Sequence, residues 1–266
     1  SVAHQPQRKK ETLDKEMTGD EAIAHVLHEL KIPKVFLSPG VPDFFRARLE
    51  EYKIPSVQAF SPRGAITLAD SFARGTNELG VAVVTPGSRV VEALDVVAQA
   101  FNDSVPLLII GTLRSYRDTG RARIGELRSP DDVYTAVAPF VKSRERIVTI
   151  EEVTEVLERA WKDSLSNKPR PVYVEVAEDL FRLKAYPLVT AGQKIEKRTP
   201  DKATAAKVAE LLVNSQRPVI VAGYGVLSSK GRGNPGGRVG FFGHPAVTPL
   251  KGQRAMPPSH PPLPGG

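Results

Sequence analysis

The sequence predicts an α/β fold: a parallel sheet flanked by helices, followed by an incomplete second α/β domain. Three observations predict it. Short β-branched and apolar runs alternate with helix-period stretches from Thr18 to Val176. One run, Leu107–Ile110, is apolar without interruption, as a strand is when helices cover both of its faces. Turn and cap residues punctuate the changes of period.

The elements follow in order. Residues 1–16 are polar and read as a mobile arm. Thr18-Gly19-Asp20-Glu21 reads as a capping box, a Thr hydroxyl with a Glu three residues on, opening a helix along Ala22, Ile23, Val26, Leu27 and Leu30. Val35–Leu37 is a short strand ended by Pro39-Gly40. Phe44, Phe45, Leu49 and Tyr52 mark a second helix, Val57–Phe60 a weak strand, Ala65–Ala73 a helix of small residues and Val81–Val84 a strand. A helix then starts at Ser88, with the stripe Val90, Val91, Leu94, Val97, Ala98 and Phe101. After Leu107–Ile110 comes a polar, Arg-rich loop from about Thr112 to Arg128. Ser129-Pro130-Asp131-Asp132 opens the next helix with Pro at its first position. Thr149-Ile150-Glu151-Glu152 reads as a further capping box, before a helix through Val153, Val156, Leu157 and Trp161. Pro171–Val176 is a strand.

These bounds place the first domain at residues 17–182, a polar linker at 183–198 and a partial second domain at 199–266. In the second domain Thr199-Pro200 caps a helix carrying Val208, Leu211 and Leu212, and Pro218–Ala222 is a strand. The stretches 231–240 (GRGNPGGRVG) and 257–266 (PPSHPPLPGG) oppose helix and strand alike.

Composition narrows the function classes. The chain has no cysteine, so neither a disulfide framework nor a thiolate metal site is available. Its longest apolar runs, such as Val105–Ile110, fall far short of a bilayer span. The first 16 residues hold no apolar signal core, so a cytoplasmic protein without a membrane partner is the expectation. The net charge of +7 is concentrated at one end: no acidic residue follows Glu210, whereas Arg217, Lys230, Arg232, Arg238, Lys251 and Arg254 do. Those cations are scattered, which argues against a nucleic-acid surface. His25 and His28 lie three apart with no third ligand near them in sequence, so no metal site is expected. Gly223-Tyr224-Gly225 follows a strand, but Ser228 stands at the third glycine position of a dinucleotide fingerprint.

Four motifs carry the functional reading. Val35–Gly40 takes a strand into a turn at the carboxyl edge of a parallel sheet, where ligands of open α/β folds bind. Ser61–Arg74 is a small-residue helix in which Asp70 and Arg74, four apart, can pair. Val83–Ser88 ends a strand in a glycine turn that points backbone N–H groups outward. Ala100–Leu107 closes a helix and enters a buried strand, with Asp103 and Ser104 at the turn. Each alone is compatible with an ordinary capped turn or packed helix.

Their order and spacing resemble the N-terminal, pyrimidine-binding domain of the acetolactate synthase and pyruvate oxidase family. The matching positions are Pro39-Gly40, Gly64-Ala65, Ala69-Asp70, Phe72-Ala73-Arg74, Thr85, Gly87 and Asp103-Ser104-x-Pro106. Pro139–Lys142 and Pro169–Val174 resemble later landmarks of that domain, and Pro218–Gly225 and Val247–Gly252 pieces of the family's central domain. The resemblance implies thiamine diphosphate as cofactor, with Pro39, Gly40, Thr85, Gly87 and Ser88 lining its pyrimidine. It implies a 2-keto acid carboligation or decarboxylation, and a partner that is either a second copy or a chain carrying the diphosphate-binding domain. Two departures qualify it. The family's catalytic glutamate, which drives proton transfer on the cofactor ring, falls on Pro62 here, which has no ionisable group. No Gly-Asp-Gly motif for the Mg2+ that holds the diphosphate occurs, so that metal is expected only from a partner domain. The alternative expectation is a non-catalytic scaffold or regulatory subunit that keeps the fold and its dimer surface.

Overall fold

The structure is a computed structural model of the 266-residue chain. It describes residues 13–113, 129–188, 201–221, 223–228 and 246–247. The chain divides into two units, Ser1–Glu196 and Lys197–Gly266.

In the first unit a short antiparallel pair, β1 (Met17–Thr18) with β8 (Lys184–Ala185), joins the segment before the first helix to the segment after the main sheet. That sheet holds β2 (Val35–Leu37), β3 (Ser56–Gln58), β4 (Gly80–Val84), β5 (Leu107–Leu113), β6 (Ser143–Ile147) and β7 (Pro171–Ala177). Its spatial order is β3-β2-β4-β5-β7-β6, with every pair parallel. Helices α1 (Gly19–Glu29), α2 (Asp43–Glu51) and α6 (Glu152–Leu165) cover one face. Helices α3 (Pro62–Thr76), α4 (Leu94–Asp103) and α5 (Pro130–Val137) cover the other.

The two-residue period of a strand explains how one run feeds two cores. Val81, Val83, Leu108 and Ile110 pack with Ile23, Leu27, Leu49 and Leu157 on the first face. Ala82, Val84, Leu107 and Ile109 pack with Ile66, Ala69, Val97 and Val133 on the second. The parallel, doubly covered sheet is the architecture the sequence predicts.

Several local expectations are corrected. Thr18 precedes α1, but its hydroxyl makes no cap bond and is buried without a partner, and the Glu21 carboxylate accepts from Lys15 at 2.6 Å. Thr149 does not cap α6: the helix starts at Glu152, whose carboxylate accepts from the Val148 N–H at 3.2 Å. No α-helix starts at Ser88; a 3-10 turn runs from Gly87 to Ala93 and α4 begins at Leu94. Helix α5 starts at Pro130 as expected, and Ser129 and Asp132 close a capping box there, with Asp132 accepting from the Ser129 N–H at 2.9 Å.

Strand β6 escapes an apolar search because its sequence is Ser-Arg-Glu-Arg-Ile. It is an edge strand, where charge is tolerated and discourages pairing with foreign strands. Arg144 and Arg146 stack on the Tyr134 ring of α5 at 4.2 and 4.8 Å from its centroid, while Glu145 meets Arg159 of α6 at 2.8 Å.

The second unit contains α7 (Lys202–Asn214), β9 (Ile220–Val221), α8 (Tyr224–Ser228) and β10 (Ala246–Val247), with β9 and β10 parallel. Asp201 caps α7 by accepting from the Thr204 N–H at 2.8 Å. The Thr199-Pro200 cap lies outside the described residues. So do Ala222, residues 248–252, both Pro/Gly-rich stretches, residues 1–12 of the arm, 114–128 of the Arg-rich loop and 189–198 of the linker. Among the described residues no helix is long and apolar enough to cross a membrane.

Candidate functional site

The strand order fixes where a ligand site can form. From β2 the chain crosses through α2 to β3 on one side; from β4 it crosses through α4 to β5 on the other. These neighbouring strands send their connections in opposite directions and over opposite faces. The carboxyl ends of β2 and β4 therefore flank a crevice at the topological switch point.

Three turn segments meet at that edge. Leu37 is in register with Gln58 of β3 and with Val83 of β4, so the residues after each leave the sheet at one level. The Ser38 N–H donates to the Val83 carbonyl at 2.9 Å, and the buried Ser38 hydroxyl accepts from the Thr85 N–H at 3.0 Å. These bonds stitch the turn after β2 to the turn after β4. Gly40 takes φ +97°, and a β-carbon there would sit 2.8 Å from the Thr85 carbonyl oxygen. The Thr85–Pro86 peptide is cis. Gly87 lies against the end of β5, where a β-carbon would sit 2.4 Å from the Thr112 carbonyl oxygen. On the third side the Ala59 N–H donates to the Leu37 carbonyl at 2.9 Å. Ser61 then caps α3, accepting from the Gly64 N–H at 2.9 Å, with buried Pro62 as the first helical residue.

Pro39, Gly40, Pro62, Thr85, Gly87 and Ser88 thus all stand at the carboxyl edge, on turns following β2, β3 and β4. Helix α3 packs against the Gly87–Ala93 turn, and Arg63 pairs with Asp95 at the start of α4. The guanidinium beside it holds the exposed Asp95 carboxyl below its ordinary value. At the other end of α3, Arg74 bridges Asp70 at 2.7 Å and Asp103 at 2.8 Å, so the predicted Asp70–Arg74 pair forms. Ser104 adopts the left-handed conformation at the end of α4 (φ 61°).

Ser38 and Ser61 are the site residues the sequence leaves unmarked; a serine before a proline is too common to single out. The chemistry available is narrow. Ser38–Gly40, Ser61–Pro62 and Thr85–Ser88 offer backbone groups, hydroxyls and apolar rings, and none of their side chains titrates near neutral pH. The Thr85 hydroxyl oxygen is buried without a hydrogen-bond partner. An orphan of this kind is costly unless a ligand group meets it. A flat heteroaromatic ring bearing a nitrogen or amino group fits this set; a proton transfer by residue 62 does not. Gln58 does not stand in for the missing acid: it ends β3 and its amide donates to the Leu37 carbonyl at 3.3 Å. Away from the edge, His28 Nδ1 lies 2.9 Å from the Tyr52 carbonyl, and His25 stacks edge-on to the Tyr52 ring. Among the described residues no group of three or more His, Cys, Asp or Glu could hold a metal ion.

Comparison with known proteins agrees with this geometry. The family described as "Thiamine pyrophosphate enzyme, N-terminal TPP binding domain" matches residues 17–134. A probable 2-ketoarginine decarboxylase of Pseudomonas aeruginosa is 28% identical over 81% of this chain and 39% of its own length. The acetolactate synthase large subunit of Lactococcus lactis is 26% identical over 95% of this chain and 44% of its own. The acetolactate synthase isozyme 3 large subunit of Escherichia coli is 25% identical over 92% and 43%. The chain spans about two fifths of the length of these relatives. A parallel sheet with a switch-point crevice and a family match over residues 17–134 converge: that segment is similar to the N-terminal TPP-binding domain of thiamine pyrophosphate enzymes, and the chain is similar to acetolactate synthase large subunits and to a 2-ketoarginine decarboxylase.

Proposed function

We propose that the chain is the thiamine-diphosphate-binding module of an acetolactate-synthase-like enzyme that decarboxylates or carboligates a 2-keto acid. One observation carries the reading: the turns bearing Gly40, Thr85 and Gly87 converge on the switch point with the Thr85 hydroxyl unpartnered. When bound, this cofactor would supply an electron sink that stabilises the carbanion formed in 2-keto acid chemistry. The Pro39-Gly40 and Gly87 turns would hold the pyrimidine between backbone surfaces, Thr85 would donate or accept at its polar edge, and Ser88 would close the slot.

The diphosphate and its Mg2+ would be held by a partner domain outside residues 1–266, since no Gly-Asp-Gly occurs among them. Apolar surface beside the slot supports such a partner. Phe60, two residues before Pro62, is 103% exposed, and Leu68 on α3 is 40% exposed. Calorimetry tests the reading: the chain mixed with a separately expressed diphosphate-binding domain and Mg2+ releases heat on addition of thiamine diphosphate, and neither component does so alone. Absence of binding in the mixture contradicts it.

Pro62 favours a second reading, a non-catalytic subunit that keeps the fold. Proline can neither give nor take a proton, so residue 62 cannot perform general acid–base catalysis. Pro62→Glu in the reconstituted complex separates the two. A module in need of an acid gains turnover by about 10²-fold or more, the typical worth of a placed general acid or base. A scaffold gains nothing.

A further inference from the structure

On the α3/α4/α5 face of the sheet, beyond the slot, lies a buried polar cluster that the proposed function does not use. Glu175 of β7 is 1% exposed and in register with Gly111 of β5 and Arg146 of β6. Its Oε1 accepts from the Tyr173 hydroxyl at 3.2 Å, and its Oε2 accepts from Arg146 Nε at 2.8 Å. Arg146 Nη1 donates in turn to Asp131 Oδ1, in the first turn of α5, at 2.8 Å. The Tyr173 hydroxyl fills the space a side chain at Gly111 would need, only 2.4 Å from a β-carbon there. Gly87 presses on the same residue from the slot side, its own β-carbon position 3.1 Å from the Gly111 carbonyl carbon. Helix α5 packs against the Gly87–Ala93 turn. The cluster and the slot therefore share one piece of backbone.

We propose that Glu175 is an acid-sensitive latch: ionised, it holds Arg146, and through Arg146 the start of α5, beside the Gly87 turn; protonated, it releases that hold. Among the described residues, the charged and titratable groups facing Glu175 are Tyr173 from its own strand, Arg146 from β6 and Asp131 from α5. On β5 the neighbouring Thr112 hydroxyl is turned to Glu178 instead, at 3.3 Å. Burial raises the Glu175 carboxyl above the ordinary glutamate value, and the Arg146 guanidinium opposes it without overcoming it. Burial pushes the Tyr173 phenol well up, so it stays a donor throughout. A carboxylate so placed takes a proton at a higher pH than a surface glutamate does. The neutral acid then loses its ion-pair attraction to Arg146, and the remaining hydrogen bond is weaker.

Native-state hydrogen exchange on the full chain, corrected for the intrinsic effect of pH, tests it. As pH falls from 7 to the ordinary glutamate value of 4.5, the α5 amides of Tyr134–Val137 should lose up to about tenfold of their protection relative to β5. That is the size expected for losing one charged hydrogen bond. The Glu175→Gln variant should show the weaker protection already at pH 7 and no further change. Protection of α5 that is flat with pH in the wild type, or that falls equally in the variant, overturns the latch. The wild-type profile suffices should the variant not fold.

Discussion

At Gly40 the backbone takes φ +97° and faces the Thr85 carbonyl at a distance no β-carbon tolerates. Both constraints act on one residue at the crevice between β2 and β4. Gly40→Ala should therefore destabilise the first unit by about 1–3 kcal/mol, the range for a residue forced into a sparsely populated region. A denaturant titration should show a lower midpoint with an unchanged slope. A midpoint equal to the wild type would mean that the turn relaxes at no cost. The glycines and prolines of these turns are legible in the sequence, because few other residues serve such geometry. The serines are not: Ser38 is buried and stitches two turns together, yet nothing distinguishes it in sequence from a solvated loop serine. Pro62 shows both sides of the matter. Counting back from Ala69-Asp70 puts the family's glutamate position on Pro62, the structure makes Pro62 the first residue of a helix expected only from Ala65, and its lack of a proton is what removes acid–base chemistry from the edge.

Among elements, the buried strands are the most legible. Leu107–Ile110 and Val81–Val84 are apolar on both faces because helices cover both, and a half-exposed strand would alternate instead. Strand β6 is hidden for the opposite reason: an edge strand can be built of arginine and glutamate provided each finds a partner, as Arg146 and Glu145 do. Caps are legible only in part. Thr18 makes no cap bond and Glu21 pairs with Lys15, whereas Ser61 and Ser129 keep their bonds. Helix α1 carries a pH prediction. Burial lowers the His25 pKa below its ordinary 6.5, with the nearby His28 and Lys15 adding to the effect and Glu29 and Glu21 opposing it. The folded pKa lies below the unfolded one, so the contribution of neutral His25 to stability is complete above about 6.5 and is lost as pH falls through the depressed value. Thermal midpoints should drop on acidification through that window, and His25→Gln should remove part of the drop. Parallel curves for wild type and variant would show that His25 does not titrate differently in the fold.

For the whole molecule, chain order and spatial order part company. The sequence runs β2, β3, β4, but the sheet runs β3-β2-β4, and only the second order creates a crevice. No local pattern encodes it, because it follows from which strands pair across distances of 20 residues and more. The motifs mark the edge, and the topology turns the edge into a slot. Whether that slot receives the pyrimidine of thiamine diphosphate can be read residue by residue. The experiment is amide NMR of the chain, titrated with the cofactor in the presence of Mg2+ and a diphosphate-binding domain. Cofactor-dependent shifts should concentrate at Gly40, Thr85 and Gly87, with the amides of α1 and α6 unmoved. Shifts confined to the α1/α6 face, or binding that leaves those three amides unperturbed, would show that the ring sits elsewhere.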